Sequence, residues 1–302
     1  MSIQEQPLYG CIDIGGTSIK YGVVTPEGTI VHQGLRASEA AEGAGRMVAN
    51  AITAAKSCQK KYTLAGIAVS TAGMVDAQSG RIIFADDHLP DYTGMEVQKA
   101  FQEALGLPCH VENDVNCAGL GEYWLGQGKK AQSMVCLTLG TGIGGSILLQ
   151  GKLWHGACYG AGEFGMMPMD DGEKWEHKAS AKSLLKNIAI RKDMADTRIT
   201  LKQFAQWYRQ RDAATLAAVA DFQYYLALGI SRICCVVNPE LVVLGGGISM
   251  YGDMLMPGLQ KCLDRMLLPA IRNHTKVEFA SLRNNAGMLG ALYGFLQHYP
   301  QK

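Results

Sequence analysis

The five residues Asp13-Ile14-Gly15-Gly16-Thr17 interrupt an apolar run, Leu8 to Ile14, that resumes as Ile19 to Val24. Two short apolar segments joined through adjacent glycines have the pattern of two strands and a tight turn. Glycine serves such a turn twice: it tolerates positive φ, and its missing side chain lets backbone N–H groups approach a ligand, as phosphate-binding turns require. Asp13 is a carboxylate among core-type residues, so it has to accept hydrogen bonds, pair with a cation or face a metal. The pattern then recurs: Ser133 to Leu139 is apolar, Gly140-Thr141-Gly142-Ile143-Gly144-Gly145 is the turn, and Ser146 to Gln150 is apolar again. Two halves that open alike predict a duplicated α/β fold, two domains around a cleft.

The segments between the hairpins fit that layout. Thr29 to Gly34 reads as a third strand, Glu39 to about Lys60 as an alanine-rich helix, and Leu64 to Ser70 as a buried strand ending at Thr71-Ala72-Gly73. Gly94 to Leu105 reads as a helix stopped by Gly106, Cys109 to Glu112 as a short strand, and Val115 to Leu125 as a helix. In the second half come a helix over Ala213 to Val237, a strand over Leu241 to Leu244, Gly245-Gly246-Gly247, and a helix to about Leu268. A strand over Lys276 to Ala280 and a helix over Asn285 to Gln297 close the chain.

At 302 residues the chain suits two domains, and its net charge of +1 with scattered Lys and Arg gives no electrostatic case for nucleic acid or an anionic membrane. The apolar stretch Ala213 to Val237 contains Asp221, Gln223 and Arg232, which favours a buried helix over a membrane span. Met1 to Pro7 carries no basic region followed by an apolar core, so no secretory signal is expected. The nine cysteines are dispersed among apolar neighbours without metal-ligand spacing, as expected of small hydrophobes in a reducing cytoplasm.

Gly140 to Gly145 satisfies the spacing Gly-x-Gly-x-x-Gly, but a dinucleotide site needs a helix to start there, and Ser146-Ile147-Leu148-Leu149 prefers a strand. A nicotinamide oxidoreductase is therefore rejected. Gly128-Lys129 fails as a phosphate-binding loop because Tyr123 and Lys130 stand where Gly and Ser or Thr are needed. Asn113-Asp114 precedes a helix, where either residue makes a good N-cap. A cap needs one such residue, however, and a carboxylate at the C-terminal edge of a strand could accept a hydroxyl proton during phosphoryl transfer. Glu163, flanked by Gly162 and Gly165, and Glu176, before a helix starting near Ala179, each read alone as solvated surface charges.

Taken together, Asp13-Ile14-Gly15-Gly16-Thr17 with Lys20, Glu112-Asn113-Asp114-Val115-Asn116, Leu139 to Gly145, Gly162-Glu163-Phe164-Gly165, and Asn238-Pro239-Glu240 leading to Gly245-Gly246-Gly247 resemble the ROK family of sugar kinases and repressors. The similarity runs from about Leu8 to Phe295. It implies an actin-like, hexokinase-type (ribonuclease H-like) fold. The expected N-terminal domain is 1–115 and the C-terminal domain 116–302, with the last helix, about 285–298, free to pack back on the first. It also implies a homodimer and a small-molecule sugar as partner.

Carried over by position, the resemblance implies that Asp13, Gly15, Gly16, Thr17 and Lys20 hold the phosphates of ATP and, through Asp13 and water, Mg²⁺. Gly140, Thr141 and Gly142 form the second phosphate turn, and Gly245, Gly246 and Gly247 flank the adenosine. Gly73, Asn113, Asp114, Glu163 and Glu176 bind the sugar, with Asp114 as general base on a primary hydroxyl. His88 stands where many members carry Asn, so it is either a sugar contact or a loop-surface histidine.

Two further departures carry meaning. Met166 replaces the histidine that usually follows Gly-Glu-x-Gly, and Asp170 to His177 lacks the usual cysteines, which points to the zinc-free branch. Only seven residues precede Leu8, too few for the repressors' helix-turn-helix. The expected activity is phosphorylation of O6 of a hexose or hexoside. A β-glucoside comes first; N-acetylmannosamine, glucose or fructose are alternatives, and a non-catalytic sugar sensor is the rival of another class.

Overall fold

Tyr9, Cys11, Ile12 and Ile14 are buried along the first strand, β1 (Leu8–Ile14), because its two faces are covered by helices from one compact unit. The computed structural model describes residues 6–86, 89–194 and 198–300. Unit 1 comprises residues 1–129, 153–161 and 284–302; unit 2 comprises 130–152 and 162–283.

In unit 1, β1, β2 (Ser18–Val24) and β3 (Ile30–Ala37) form an antiparallel meander. Helix α1 (Ala44–Gln59) leads to β4 (Leu64–Thr71), which pairs parallel with β1. The helix was expected from Glu39, but a 3-10 turn (Ala40–Glu42) comes first and Gly43, at φ 100, breaks the chain before α1. A small hairpin of β5 (Met74–Asp76) and β6 (Arg81–Phe84), unseen in the sequence, precedes α2 (Val97–Leu105). Strand β7 (Cys109–Asn113) pairs parallel with β4 and runs straight into α3 (Asp114–Leu125). The sheet order is β3-β2-β1-β4-β7.

Unit 2 repeats the plan. Strand β8 (Ser133–Leu139) and β9 (Ile143–Leu149) form the hairpin, and β10 (Lys152–Leu153) extends it. Four helices follow: α4 (Trp175–Ala179), α5 (Ala181–Arg191), α6 (Leu201–Arg209) and α7 (Ala213–Val236). Strand β11 (Leu241–Gly245) pairs parallel with β8 on one side and, on the other, with the strand β12 (Lys276–Phe279), reached through α8 (Gly252–Met266) and α9 (Pro269–Arg272). The order β10-β9-β8-β11-β12 has the same logic as the first sheet: a meander running outward, then two parallel strands. The motif Asn238-Pro239-Glu240 closes its edge. Glu240 Oε2 accepts from Gln132 N at 2.9 Å, and Thr275 Oγ1 donates to the Pro239 carbonyl at 2.7 Å.

Three details of the chain differ from or add to what the sequence suggests. The second turn is tighter than Gly140–Gly145, since β9 starts at Ile143, where its pairing with Leu139 begins. Glu176 precedes the helix that begins at Ala181, as expected, but itself lies in the first turn of the short helix α4. Unit 1 continues past the 115/116 boundary through α3 to Lys129. The reason is α10 (Ala286–His298), which packs on α3, with Tyr293 stacked on Trp124 at 5.3 Å and Phe295 against Tyr9 at 5.3 Å. Helix α7 is long and apolar enough by length and composition to cross a membrane. However, Phe222, Leu226, Ile230 and Ile233 lie in the core of unit 2, and Asp221 and Arg232 pair with Arg191 and Asp170.

Candidate active site

Asp13 is fixed from both neighbouring strands. Its Oδ1 accepts from Ser70 Oγ at 2.8 Å on β4, and its Oδ2 faces Lys20 Nζ at 3.4 Å on β2. The hairpin beside it is closed by Gly15 N–H donating to the Ser18 carbonyl at 3.0 Å. Ser38 ties its rear, donating from Oγ to the Gly16 carbonyl and from N–H to the Thr17 carbonyl. A Cβ on Gly16 would meet nothing within 4 Å, so that side of the turn is open. Gly287, in the first turn of α10, approaches so closely that a Cβ there would lie 3.1 Å from the Asp13 carboxylate.

Asn113 caps α3: its Oδ1 accepts from Val115 N and Asn116 N at 2.9 and 3.0 Å. Its Nδ2 donates to the Gly73 carbonyl at 2.9 Å and to Asp114 Oδ1 at 3.1 Å, so Gly73, Asn113 and Asp114 form one cluster. Asp114 Oδ1 also accepts from Val115 N at 2.9 Å. Gly73 sits at φ 94, which favours glycine. The sequence left the cap and the functional reading as rivals. In the fold one side chain does both jobs, capping the helix and orienting the carboxylate next to it. Tyr92, bonded to Thr71 Oγ1 at 2.6 Å, is pushed to about 12 by burial, with the Asp114 charge adding to the rise.

The thiol of Cys117 on α3 links these groups. It is held well above its ordinary pKa, first by burial and then by the charges of Glu112, Asp13 and, more weakly, Asp114, with Ser70 opposing. The buried thiol thus feels the charges of both Asp13 and Asp114, all three residues belonging to unit 1. No motif flagged Ser70 or Cys117; the signal available was a serine in an otherwise apolar strand. His88 lies outside the described residues.

In unit 2 the hairpin Gly140-Thr141-Gly142 is held by Gly140 N–H to the Gly142 carbonyl at 3.0 Å and by Lys182 N–H to the Gly140 carbonyl at 3.1 Å. A Cβ on Gly142 would strike the Glu176 carboxylate, which accepts from Ile143 N at 3.4 Å. Glu163 opens a 3-10 turn (Phe164–Met166); partial burial of its carboxyl and then the Glu176 charge raise its pKa. The two glutamates are thus brought together beside the second hairpin. Met166 is 51% exposed. The stretch 170–177 is laced by the ion pairs Asp170–Arg232 and Asp171–Lys178, both at 2.5 Å, and by a hydrogen bond between Glu173 and His177 at 2.9 Å.

A cavity of about 680 Å³ lies wholly in unit 2. Gly140, Thr141 and Gly247 line one side, Leu185, Ile199 and Leu201 supply apolar wall, and Lys182, Lys186 and Arg198 bring positive charge. Gly246, at φ 86, backs onto Leu139, where a Cβ would overlap the main chain, and Gly245 ends β11. The hairpin also meets the start of α5, capped by Ser180 Oγ accepting from Ser183 N at 3.1 Å. Apolar wall, cations, bare glycines and a helix N-terminus together suit a flat group attached to phosphates. The three cations were missed in the sequence, although Lys182 and Lys186 stand one turn apart on a segment that reads as helix.

The model of the ROK family matches residues 9–298.

The chain belongs to the ROK family.

This ROK protein is 43% identical over 292 residues to an uncharacterized protein of Clostridium perfringens, covering 97% of this chain and 99% of that one. It is 31% identical over 293 residues to a beta-glucoside kinase of Listeria monocytogenes, covering 94% and 96%. Among solved structures, a ROK family glucokinase from Streptomyces griseus in complex with glucose and AMPPNP matches with a TM-score of 0.83 and 28% identity, covering 94% of this chain and 98% of that one. The fold of this ROK protein is the actin-like ATPase fold of the sugar kinases, with the twice-used sheet order as its signature.

Proposed function

We propose that this chain is an ATP-dependent sugar kinase that transfers the γ-phosphoryl group to the primary, O6 hydroxyl of a hexose or hexoside. The observation that carries this is Asp114: a carboxylate at the C-terminal end of a parallel strand, oriented by Asn113 Nδ2 and Val115 N–H. Such a group is placed to take a hydroxyl proton as the oxygen attacks phosphorus. Asn113, anchored on the Gly73 carbonyl, holds Asp114, Glu163 and Glu176 take sugar hydroxyls, and the cavity over Gly140, Thr141 and Gly247 takes the nucleotide.

Asp13 suits Mg²⁺. A single carboxylate anchored by Ser70 and Lys20 is no all-protein cage, and Mg²⁺ keeps most of its waters and is held by one or two carboxylates together with substrate phosphates. When bound, the ion neutralises phosphate charge. Lys20 and the N–H groups of Gly16 and Thr17 contribute to the same end from the protein side.

A β-glucoside is the favoured acceptor. The likeness to the Listeria beta-glucoside kinase supports it, as does the exposed side chain of Met166 at the position where the family resemblance implies a histidine. Free glucose is the second reading, favoured by the glucose-bound Streptomyces structure. The reading extends to a cytoplasmic homodimer, which sedimentation of the purified chain checks.

The test is a coupled ADP-release assay over cellobiose, aryl β-glucosides, glucose, mannose, fructose and N-acetylmannosamine with Mg²⁺ and ATP. Turnover with a β-glucoside ahead of glucose supports the reading, whereas sugar binding without ADP release would make the chain a sensor.

A further inference from the structure

Glu112 is a carboxylate whose side chain is 2% exposed, in the strand that delivers Asn113 and Asp114. Both its oxygens are occupied. Oε1 accepts from Asn113 N–H at 2.8 Å and from Asn116 Nδ2 at 2.9 Å, gripping the first turn of α3 from two sides. Oε2 meets His155 Nε2 at 2.8 Å. A carboxylate this deeply buried is costly unless it is paired and hydrogen-bonded, and His155 is the residue that pairs with it here.

His155 belongs to the segment 153–161, which lies in unit 1 although it follows a strand pair of unit 2 in sequence. That segment is seated on the elements that carry Gly73 and Asn113. Gly160 abuts Met74, since a Cβ on it would lie 3.4 Å from Met74 Cε, and Tyr159 stands edge-on to His155 with ring centroids 5.8 Å apart. None of the motifs that carry the resemblance includes His155.

We propose that His155 is a positioning residue of the kinase: by holding Glu112 Oε2 it fixes the oxygen that orders Asn113 and Asn116, and through them the carboxylate of Asp114. The inference rests on the kinase reading. His155 is held in its charged form above its ordinary pKa, first by the hydrogen bond to Glu112, against partial burial, and then by the charges of Glu112 and Asp76. The groups facing it are Glu112 on β7, Asp76 at the end of β5 and Tyr159 on its own segment; His110, also on β7, lies close enough to feel its charge. With the imidazolium present, both Glu112 oxygens keep their partners. As pH rises through the elevated His155 pKa, the charge is lost and the grip on the first turn of α3 loosens.

The test compares His155→Gln and His155→Lys with wild type by steady-state kinetics over pH, with thermal unfolding of each. Replacing the partners that orient metal ligands costs ten- to a hundredfold, and by analogy His155→Gln should lose about tenfold in kcat/KM for the sugar. KM for ATP should stay unchanged, because the nucleotide cavity belongs to unit 2. His155→Lys should restore most of the activity and remove the alkaline decline of the wild type. A His155→Gln enzyme with wild-type kcat/KM and pH profile overturns the proposal. So does a loss that tracks a lowered unfolding temperature, raises both KM values and is not rescued by Lys. Absence of any wild-type turnover is a separate outcome: it removes the kinase reading itself, and this role with it.

Discussion

Ser70 Oγ donates to Asp13 Oδ1 at 2.8 Å across a parallel strand pair in which the two residues are register partners. The bond converts a carboxylate at the lip of a glycine turn into a fixed anchor, with Lys20 on its other oxygen. Hydrogen bonds to charged groups are worth about 1.5–3 kcal/mol. Ser70→Ala should lower stability by about that much and raise the Mg²⁺ concentration for half-maximal turnover several-fold. Urea unfolding and a metal titration of the rate read the two effects.

For Asp114 the expected signature is a split between chemistry and binding. Asp114→Asn should lower kcat by about two to four orders of magnitude, the usual share of a general base, with sugar affinity by calorimetry largely kept. Turnover at the wild-type rate would remove Asp114 from that role.

Lys182 and Lys186 give a third expectation. If the cavity they line takes the nucleotide, Lys182→Met and Lys186→Met should each raise KM for ATP, by about tenfold for a lost charge-assisted contact worth roughly 1.4 kcal/mol. KM for the sugar should not move, and higher salt should narrow the gap between variants and wild type.

Trp175 is fully buried against Gly229, where a Cβ would run into the indole, and its Nε1 donates to the Tyr225 carbonyl at 2.7 Å. Overpacking of this kind costs about 1–3 kcal/mol, so Gly229→Ala should lower the unfolding temperature. Glu176 is the next residue along α4, and sugar KM should rise with the shift of the indole. Near-ultraviolet circular dichroism would report a displaced Trp175.

His110 sets the acid limit of unit 1. Burial drives its pKa from 6.5 down to about 4, despite the opposing charge of Glu112, with His298 stacked on it at 4.9 Å. The folded state holds it neutral, while the unfolded chain takes up a proton near 6.5. Its contribution is therefore complete above 6.5 and is lost as pH falls from there to about 4, to the extent of roughly 3 kcal/mol. His110→Leu should flatten the stability profile across that window, as measured by urea midpoints.

Much of the scaffold was readable along the chain. Apolar runs punctuated by glycine located β1, β2, β4, β7, β8 and β11, and the strand-type residues after Gly145 excluded a dinucleotide fold, as β9 bears out. The site was readable only where one short segment holds all its parts, as in Asn113 and Asp114. Its supports were not. Ser70 reaches Asp13 from 57 positions away and His155 reaches Glu112 from 43, distances at which no local periodicity carries information.

The order of residues by itself determined the main strand and helix segments, the glycine turns and the membership in a family, because these depend on local conformational preference and on short motifs. Tertiary structure alone decided which side chains share a carboxylate, that Lys182, Lys186 and Arg198 line one cavity, and that α3 belongs to unit 1. The physical reason is that hydrogen bonds and burial act between neighbours in space. Strand pairing and helix packing, set by the whole core at once, determine who those neighbours are.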